Sequence, residues 1–312
     1  MANIYEKATV PTIYFIGVTT GSSSIMKVFP KWAKALGLKD AVIKGIDFRP
    51  HSEPEAYREA VAFIKEDPLS LGALVTTHKI DLYNSCKDMF DYIDPFAEQL
   101  GEISCISKQD GQFRAHAKDP ISSGLALEAF VPENYWKEHG GEVLLLGAGG
   151  ASLAMSVYFT QKKFGDNVPK KIIIANRSLP RLEEAKRLLA GLNEKVEFEF
   201  VLNPVPEEND KTLAKLPPYS LVVNATGLGK DGPGSPLTDA CQFPENSLVW
   251  EINYRGDLVF KDQAMAQKEE KNLYIEDGWV YFIHGWTQVI AEVFHTPIEG
   301  EVLQHLSDIA KN

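Results

Sequence analysis

Cysteine is scarce. Three residues, Cys86, Cys105 and Cys241, are spread over a chain of 312. None has metal-type spacing, so free thiols in a reducing cytosol are expected. No apolar run is long enough to span a bilayer, and no charged-then-apolar leader opens the chain, which points to a cytoplasmic protein. Positive charge is also in short supply: 32 Lys and Arg against 43 Asp and Glu leave a formal charge of −11. Such a surface repels nucleic acid and anionic membrane. A small molecule is therefore the expected partner, and any anion must be held by local donors. Internal repeats and low-complexity tracts are missing as well. What remains is 44% hydrophobic and 24% charged, ordinary for a globular protein of two domains.

The stretch Val143-Leu144-Leu145-Leu146-Gly147-Ala148-Gly149-Gly150-Ala151-Ser152 organises the chain. Four apolar residues read as a buried parallel strand. The glycines turn the chain into a helix that opens with Leu153, Ala154, Met155 and Val157. Gly147 permits the tight turn, and Gly149 lets a phosphate reach the backbone. Gly150 and Ala151 stand where the first free helical N–H groups would meet a pyrophosphate. Ser152 occupies the third position of the fingerprint. Taken alone, the motif also fits a plain strand-to-helix turn.

The following segments supply its context. Lys171–Ala175, Val196–Val201, Leu221–Val223 and Leu248–Ile252 read as further strands, and helices alternate with several of them. That pattern is a doubly wound parallel sheet. Asn176-Arg177-Ser178 closes the second of these strands, where an acidic residue would bind the ribose hydroxyls of NAD. Arg177 stands there instead, with Arg181 one helical turn on. Two guanidiniums suit a 2′-phosphate and point to NADP, with NAD as the alternative. Pairing of Arg181 with Glu183 or Glu184 is the competing reading. Small residues from Asn224 through Thr226 to Gly229 allow a flat ring to approach the backbone.

The first half reads as a second α/β domain. Thr12–Val18 and Ala41–Asp47 are strands, and helices are expected from Ile25 to Leu36 and from Glu53 to Glu66. Ser22, Ser23 and Ser24 precede the first helix, either as caps or as donors to an anion. Leu71 to Lys79 reads as a strand ending in polar residues, followed by helix from Leu82 to Phe90. Ligands gather at strand carboxyl ends in such sheets, which singles out Lys79. Leu100–Ser107 and Gln112–His116 flank an Asp110-Gly111 hairpin turn. Asp119 precedes a helix expected from Ile121 to Phe130. Asp277-Gly278 leads into the aromatic segment Trp279–Trp286, and Gln288 is polar within an apolar helical pattern.

These pieces, in this order, resemble the shikimate/quinate dehydrogenase family over nearly the whole chain. The most specific are Gly147 to Ala151, Asn176-Arg177-Ser178, and Asn224-Ala225-Thr226 with its glycines. The resemblance implies a substrate-binding catalytic domain over residues 1–122, to which residues 284–312 return. It implies a Rossmann NADP-binding domain over 123–283. It further implies a reversible hydride transfer between NADP(H) and a secondary hydroxyl or ketone of a cyclic polyol carboxylate. Lys79 looks like the catalytic lysine and Asp119 like the catalytic aspartate. Ser23, Thr76, Ser104, Tyr254 and Gln288 fall where the ring is bound, and Gly278 falls on the cofactor side.

The departures from the family's pattern concentrate around the ring. Ser-x-Ser-Pro becomes Ser23-Ser24-Ile25-Met26. The lysine motif loses its proline in Val75-Thr76-Thr77-His78-Lys79. The substrate asparagine is replaced at Ser104, and Asn-Thr-Asp becomes Ala117-Lys118-Asp119. A non-catalytic NADP-binding sensor with a relict pocket is the rival reading. A monomer or homodimer is the expected assembly, and no metal is expected.

Overall fold

β1 (Thr12–Gly17) is buried along its whole length, as expected for a central strand covered on both faces. The computed structural model describes residues 5–230 and 232–311. The chain divides into one unit of Met1–Lys118 with Gly285–Asn312 and a second of Asp119–His284.

In the first unit, β1 is followed by α1 (Ile25–Ala35), β2 (Val42–Asp47), α2 (Pro54–Glu66) and β3 (Ser70–Val75). Then come α3 (Lys79–Cys86), β4 (Tyr92–Ile93), α4 (Pro95–Leu100), β5 (Cys105–Gln109) and β6 (Gln112–His116). The sheet order is β2-β1-β3-β5-β6-β4. β1 pairs in parallel with β2 and β3, whereas β5 is antiparallel to β3 and β6. The β5–β6 hairpin turns at Asp110 and Gly111, both at positive φ (52° and 76°), the geometry that an Asp-Gly pair favours.

Three sequence expectations need correction here. The strand read as Leu71 to Lys79 ends at Val75. Thr77 then adopts φ +62°, which breaks the extended backbone, and Lys79 is the first residue of α3 rather than the last of a strand. The helix expected to reach Phe90 stops at Cys86 and gives way to a short 3₁₀ turn. The first hairpin strand begins at Cys105, because Pro95–Leu100 is helical, capped by the Asp94 side chain and closed by Gly101 at φ 62°.

The second unit holds α5 (Asp119–Glu128), α6 (Tyr135–His139), β7 (Val143–Leu146), α7 (Gly150–Phe159), β8 (Lys171–Asn176) and α8 (Leu179–Leu189). β9 (Glu197–Leu202), α9 (Pro206–Leu213), β10 (Leu221–Asn224), β11 (Leu248–Glu251), α10 (Val259–Met265), α11 (Lys268–Lys271) and β12 (Tyr274–Glu276) follow. Every strand pair is parallel. From one edge the order is β9-β8-β7-β10-β11-β12, the 3-2-1-4-5-6 order of a dinucleotide-binding fold. The chain reverses direction across the sheet between β7 and β10, which is where such folds bind ligand. The register places Leu146, Ala175, Asn224 and Glu251 in one row at the strands' carboxyl ends.

α12 (Trp279–Phe294) belongs to the second unit up to His284 and to the first from Gly285. α13 (Gly300–Lys311) ends the described chain. In the first unit, α1 buries Ile25, Val28, Phe29, Trp32 and Ala33 on one stripe. The fully buried Trp32 donates from Nε1 to the Leu306 carbonyl of α13 at 2.7 Å. Trp32→Phe keeps most of the apolar area but leaves that carbonyl without its donor. The expected loss of stability is about 1–2 kcal/mol, read from urea unfolding midpoints at unchanged slope. No helix among the described residues is long and apolar enough to cross a membrane.

Candidate active site

The second unit aligns its candidate cofactor residues at or just past the carboxyl ends of its strands. Gly147 leaves β7 with φ +112°, a conformation open to glycine and strained for other residues. A Cβ there would lie 2.8 Å from the Ala225 carbonyl. Gly147→Ala should therefore cost about 1–3 kcal/mol and weaken dinucleotide binding, as thermal melts with and without NADPH would show. Gly149, the N-cap of α7, is exposed, and a Cβ there would meet nothing within 4 Å. The α7 N-terminus thus opens at Gly149, with Gly150 and Ala151 half-buried behind it. This is the space and polarity that a diphosphate requires.

Ser152 is fully buried and donates from Oγ to the Gly147 carbonyl at 2.6 Å. The turn consumes its hydroxyl, which is why a serine serves where the fingerprint prefers glycine or alanine.

Asn176 ends β8 half-buried, and Ser178 is the N-cap of α8. Arg177 and Arg181 are exposed. Glu184 binds Arg187 at 2.7 and 2.9 Å; Arg187, and Arg181 more weakly, hold its carboxyl below the ordinary range, and neither Glu183 nor Glu184 forms a salt bridge with Arg181 among the described residues. Neither Arg177 nor Arg181 forms an ion pair among the described residues. Gly278 donates to the Asn253 carbonyl at 3.1 Å, and a Cβ there would lie 2.0 Å from the Ile252 carbonyl. Close backbone packing accounts for that glycine.

Asn224, at the end of β10, accepts from the Thr226 amide (3.1 Å) and hydroxyl (2.6 Å) through Oδ1. It donates from Nδ2 to Glu251 Oε2 at 2.7 Å. Glu251 was visible in the sequence only as part of a strand end; in the structure it is fully buried. Tyr254 is half-buried against Phe282 and Trp279, with ring centroids at 4.6 and 5.9 Å.

In the first unit, Ser23 and Ser24 lie at the start of α1. Ser24 holds the N-cap position without a side-chain cap bond, and Ser22 donates to the Thr19 carbonyl. Capping therefore does not consume the Ser23 and Ser24 hydroxyls, which make no hydrogen bond among the described residues. Thr76 follows β3, its amide held by the Ile16 carbonyl at 2.9 Å. Lys79 is half-buried at the first position of α3, and its carbonyl accepts from Ile103 at 3.1 Å.

His78, a residue sequence reasoning passed over, pins this turn. It is fully buried, with Nε2 3.2 Å from the Gly17 carbonyl and Nδ1 3.0 Å from the Tyr57 hydroxyl. The carbonyl must accept, so Nε2 carries the hydrogen and Nδ1 accepts from tyrosine. Burial holds its pKa below the ordinary histidine value, which keeps the ring neutral.

Ser104 is buried, and its Oγ accepts from the Lys118 amide at 2.7 Å. Lys118 Nζ in turn binds Glu292 of α12 at 2.6 Å. His116 lies 3.3 Å from Glu292 and 3.5 Å from Asp94. Burial pushes the Glu292 carboxyl up, but the Lys118 bond and His116 outweigh it and hold it below the ordinary range. Gln288, one turn before Glu292, is half-buried on α12.

Asp119 opens α5 in the second unit, two residues before the expected helix start. Its carbonyl accepts from Ser123 Oγ at 2.7 Å and Ser122 Oγ at 3.3 Å, so its position is fixed from within the helix. Among the described residues no group of three or more His, Cys, Asp or Glu is placed to hold a metal ion. The three thiols are buried and unpaired in disulfides.

No protein-family model matches the chain. Among characterised proteins, shikimate dehydrogenase (NADP(+)) of Bacillus cereus (strain B4264) is 27% identical over 234 residues, covering 74% of this chain and 76% of that protein. Among solved structures, shikimate 5-dehydrogenase of Listeria monocytogenes, in complex with shikimate and NAD, superposes with a TM-score of 0.71 at 18% identity. It covers 98% of this chain and 99% of that one. Quinate dehydrogenase of Corynebacterium glutamicum, in complex with NAD, gives 0.71 at 17% identity over 96% and 98%. This chain is thus similar in sequence to shikimate dehydrogenase over about three quarters of its length, and similar in fold to shikimate and quinate dehydrogenases over nearly all of it.

Proposed function

We propose that the protein is an NAD(P)-dependent oxidoreductase. It would interconvert a secondary hydroxyl and a ketone on a cyclic polyol carboxylate such as shikimate, quinate or a related compound. One observation carries this reading: the switch point between β7 and β10 is bordered by a glycine turn at Gly147–Gly149, with exposed Arg177 just past the neighbouring β8 and exposed Arg181 in the first turn of α8. The α7 N-terminus, with Gly149, Gly150 and Ala151, would hold the diphosphate. Arg177 and Arg181, with Asn176 and Ser178 behind them, would hold a 2′-phosphate, which makes NADP the preferred cofactor and NAD the alternative. Asn224, Thr226 and Gly278 would border the nicotinamide. When bound, the nicotinamide supplies or accepts the hydride.

The chain's own residues would supply the rest. Lys79 moves the proton of the reacting hydroxyl as general acid and base. Asp119 accepts a hydrogen bond from that hydroxyl and orients it. Ser23 binds the ring carboxylate, and Thr76, Tyr254 and Gln288 contact the ring. Ser104 acts from behind, through its bond to the Lys118 amide. Loss of the second serine and of the substrate asparagine supports a ring substituted differently from shikimate. The test is to incubate the protein with NADP and a panel of cyclic polyol acids and to follow NADPH absorbance. Reduction of NADP by at least one acid is expected. Binding of NADP with no turnover of any acid would overturn the enzyme reading.

A further inference from the structure

Glu251 is a fully buried carboxylic acid with no ion-pair partner within salt-bridge distance among the described residues. Its two oxygens accept three N–H bonds. Oε2 takes Asn224 Nδ2 at 2.7 Å, and Oε1 takes the Asn253 amide at 2.9 Å and Asn253 Nδ2 at 2.7 Å. Those two asparagines hold the turn after β10. Asn224 Oδ1 accepts the Thr226 amide and hydroxyl, Thr226 Oγ1 accepts the Leu228 amide at 3.2 Å, and Asn253 Nδ2 also reaches the Thr226 and Leu228 carbonyls. Both asparagines that hold the turn are thus oriented by one carboxylate.

We propose that Glu251 is a positioning residue: its carboxylate fixes the turn from Ala225 to Gly229 in the shape that receives a dinucleotide. The proposal rests on the dinucleotide reading of the second unit.

An amide cannot replace this carboxylate. Gln at 251 would aim an NH₂ at one of the N–H donors, at Asn224 or at Asn253. If Asn224 flipped to compensate, its NH₂ would face the Thr226 amide, and the bonds to Thr226 would be lost. Protonation has a milder effect of the same kind, because an O–H then stands where an N–H already points.

Burial pushes the Glu251 carboxyl up to about 7, with the Asn253 and Asn224 bonds opposing the rise. Lys230 is the charged group that acts on it. On the adjacent β12 and the residue after it, Glu276 and Asp277 act on each other and on Lys261. The signs follow. The raised pKa favours the protonated folded form, so this group's contribution to stability is present below the ordinary glutamate value and is lost as pH rises through about 7. The order of the turn changes the other way, since only the ionised form accepts all three bonds. Stability and dinucleotide affinity therefore respond to this one group with opposite slopes.

The test compares wild type with Glu251→Gln by NADPH titration at about pH 6 and about pH 8. Hydrogen exchange of the Thr226 and Leu228 amides is measured at the same pH values. Comparing the two proteins cancels the ligand's own titration. In wild type, affinity should rise several-fold with pH. In Glu251→Gln the rise should vanish, NADPH should bind about tenfold more weakly, and both amides should exchange faster. A variant with wild-type affinity, pH slope and exchange rates would overturn the proposal. Should Glu251→Gln fail to fold, Asn253→Ala, which cuts the tie between Glu251 and the turn, carries the same expectations for exchange and affinity. Should wild type bind no NADPH, the dinucleotide reading fails by itself. The exchange rates would still decide whether Glu251 fixes the turn.

Discussion

Lys79→Ala is expected to lower kcat by about 10²–10⁴-fold, the contribution of a positioned general acid and base, while NADPH affinity stays within a few-fold. The two effects separate because Lys79 lies in the first unit and the glycine turn in the second. The α3 start should survive the change, since His78 fixes the turn through Gly17 and Tyr57. Lys79→Arg is the sharper control. It keeps a positive charge, but a guanidinium does not release its proton in the working pH range, so it should not restore turnover. Near-normal kcat in either variant would remove Lys79 from the chemistry.

The second large effect concerns cofactor choice. Replacing Arg177 and Arg181 together with Ala should raise the NADPH Kd by about 10–100-fold, the worth of one or two charge-assisted hydrogen bonds at an exposed site. NADH binding should stay within a few-fold, because it carries no 2′-phosphate. Both side chains are exposed, so raised salt should weaken NADPH binding to wild type and leave the double variant less affected. Equal losses for both dinucleotides would mean that the arginines act on the fold. No loss for either would mean that the 2′-phosphate lies elsewhere.

Much of the second unit was legible because its strands are short apolar runs bounded by glycine or polar residues. Val143–Leu146 is a strand at the expected bounds, and Lys171, Leu221 and Leu248 all begin strands as expected. β12 has no clear signal in the sequence, since Tyr274–Glu276 is only three residues long. The Lys79 region misled for a specific reason. Thr76 and Thr77 are β-branched and extend the look of a strand, yet Thr77 adopts the left-handed conformation and the chain enters a helix. No residue type at 77 announces that turn; it is held by a histidine whose partners lie far away in sequence, at Gly17 and Tyr57.

Glu251 illustrates the same limit. A lone acid after three apolar residues reads as the exposed end of a strand. Its burial depends on Asn224, which only the parallel pairing of β10 with β11 brings alongside. The ion pair of Lys118 with Glu292 joins residues that are distant in sequence in the same way. Local pattern yields elements, whereas buried polar networks depend on tertiary register.

The central claim is that a hydride moves between a ring carbon and a nicotinamide on this chain. The most direct measurement uses cyclic polyol acids deuterated at the secondary carbinol carbon, incubated with the protein and NADP. Deuterium should appear on the reduced nicotinamide with at least one acid, and Lys79→Ala should suppress it. NADP bound by the wild-type protein with no deuterium transferred from any acid would contradict the account and leave a binding protein in its place.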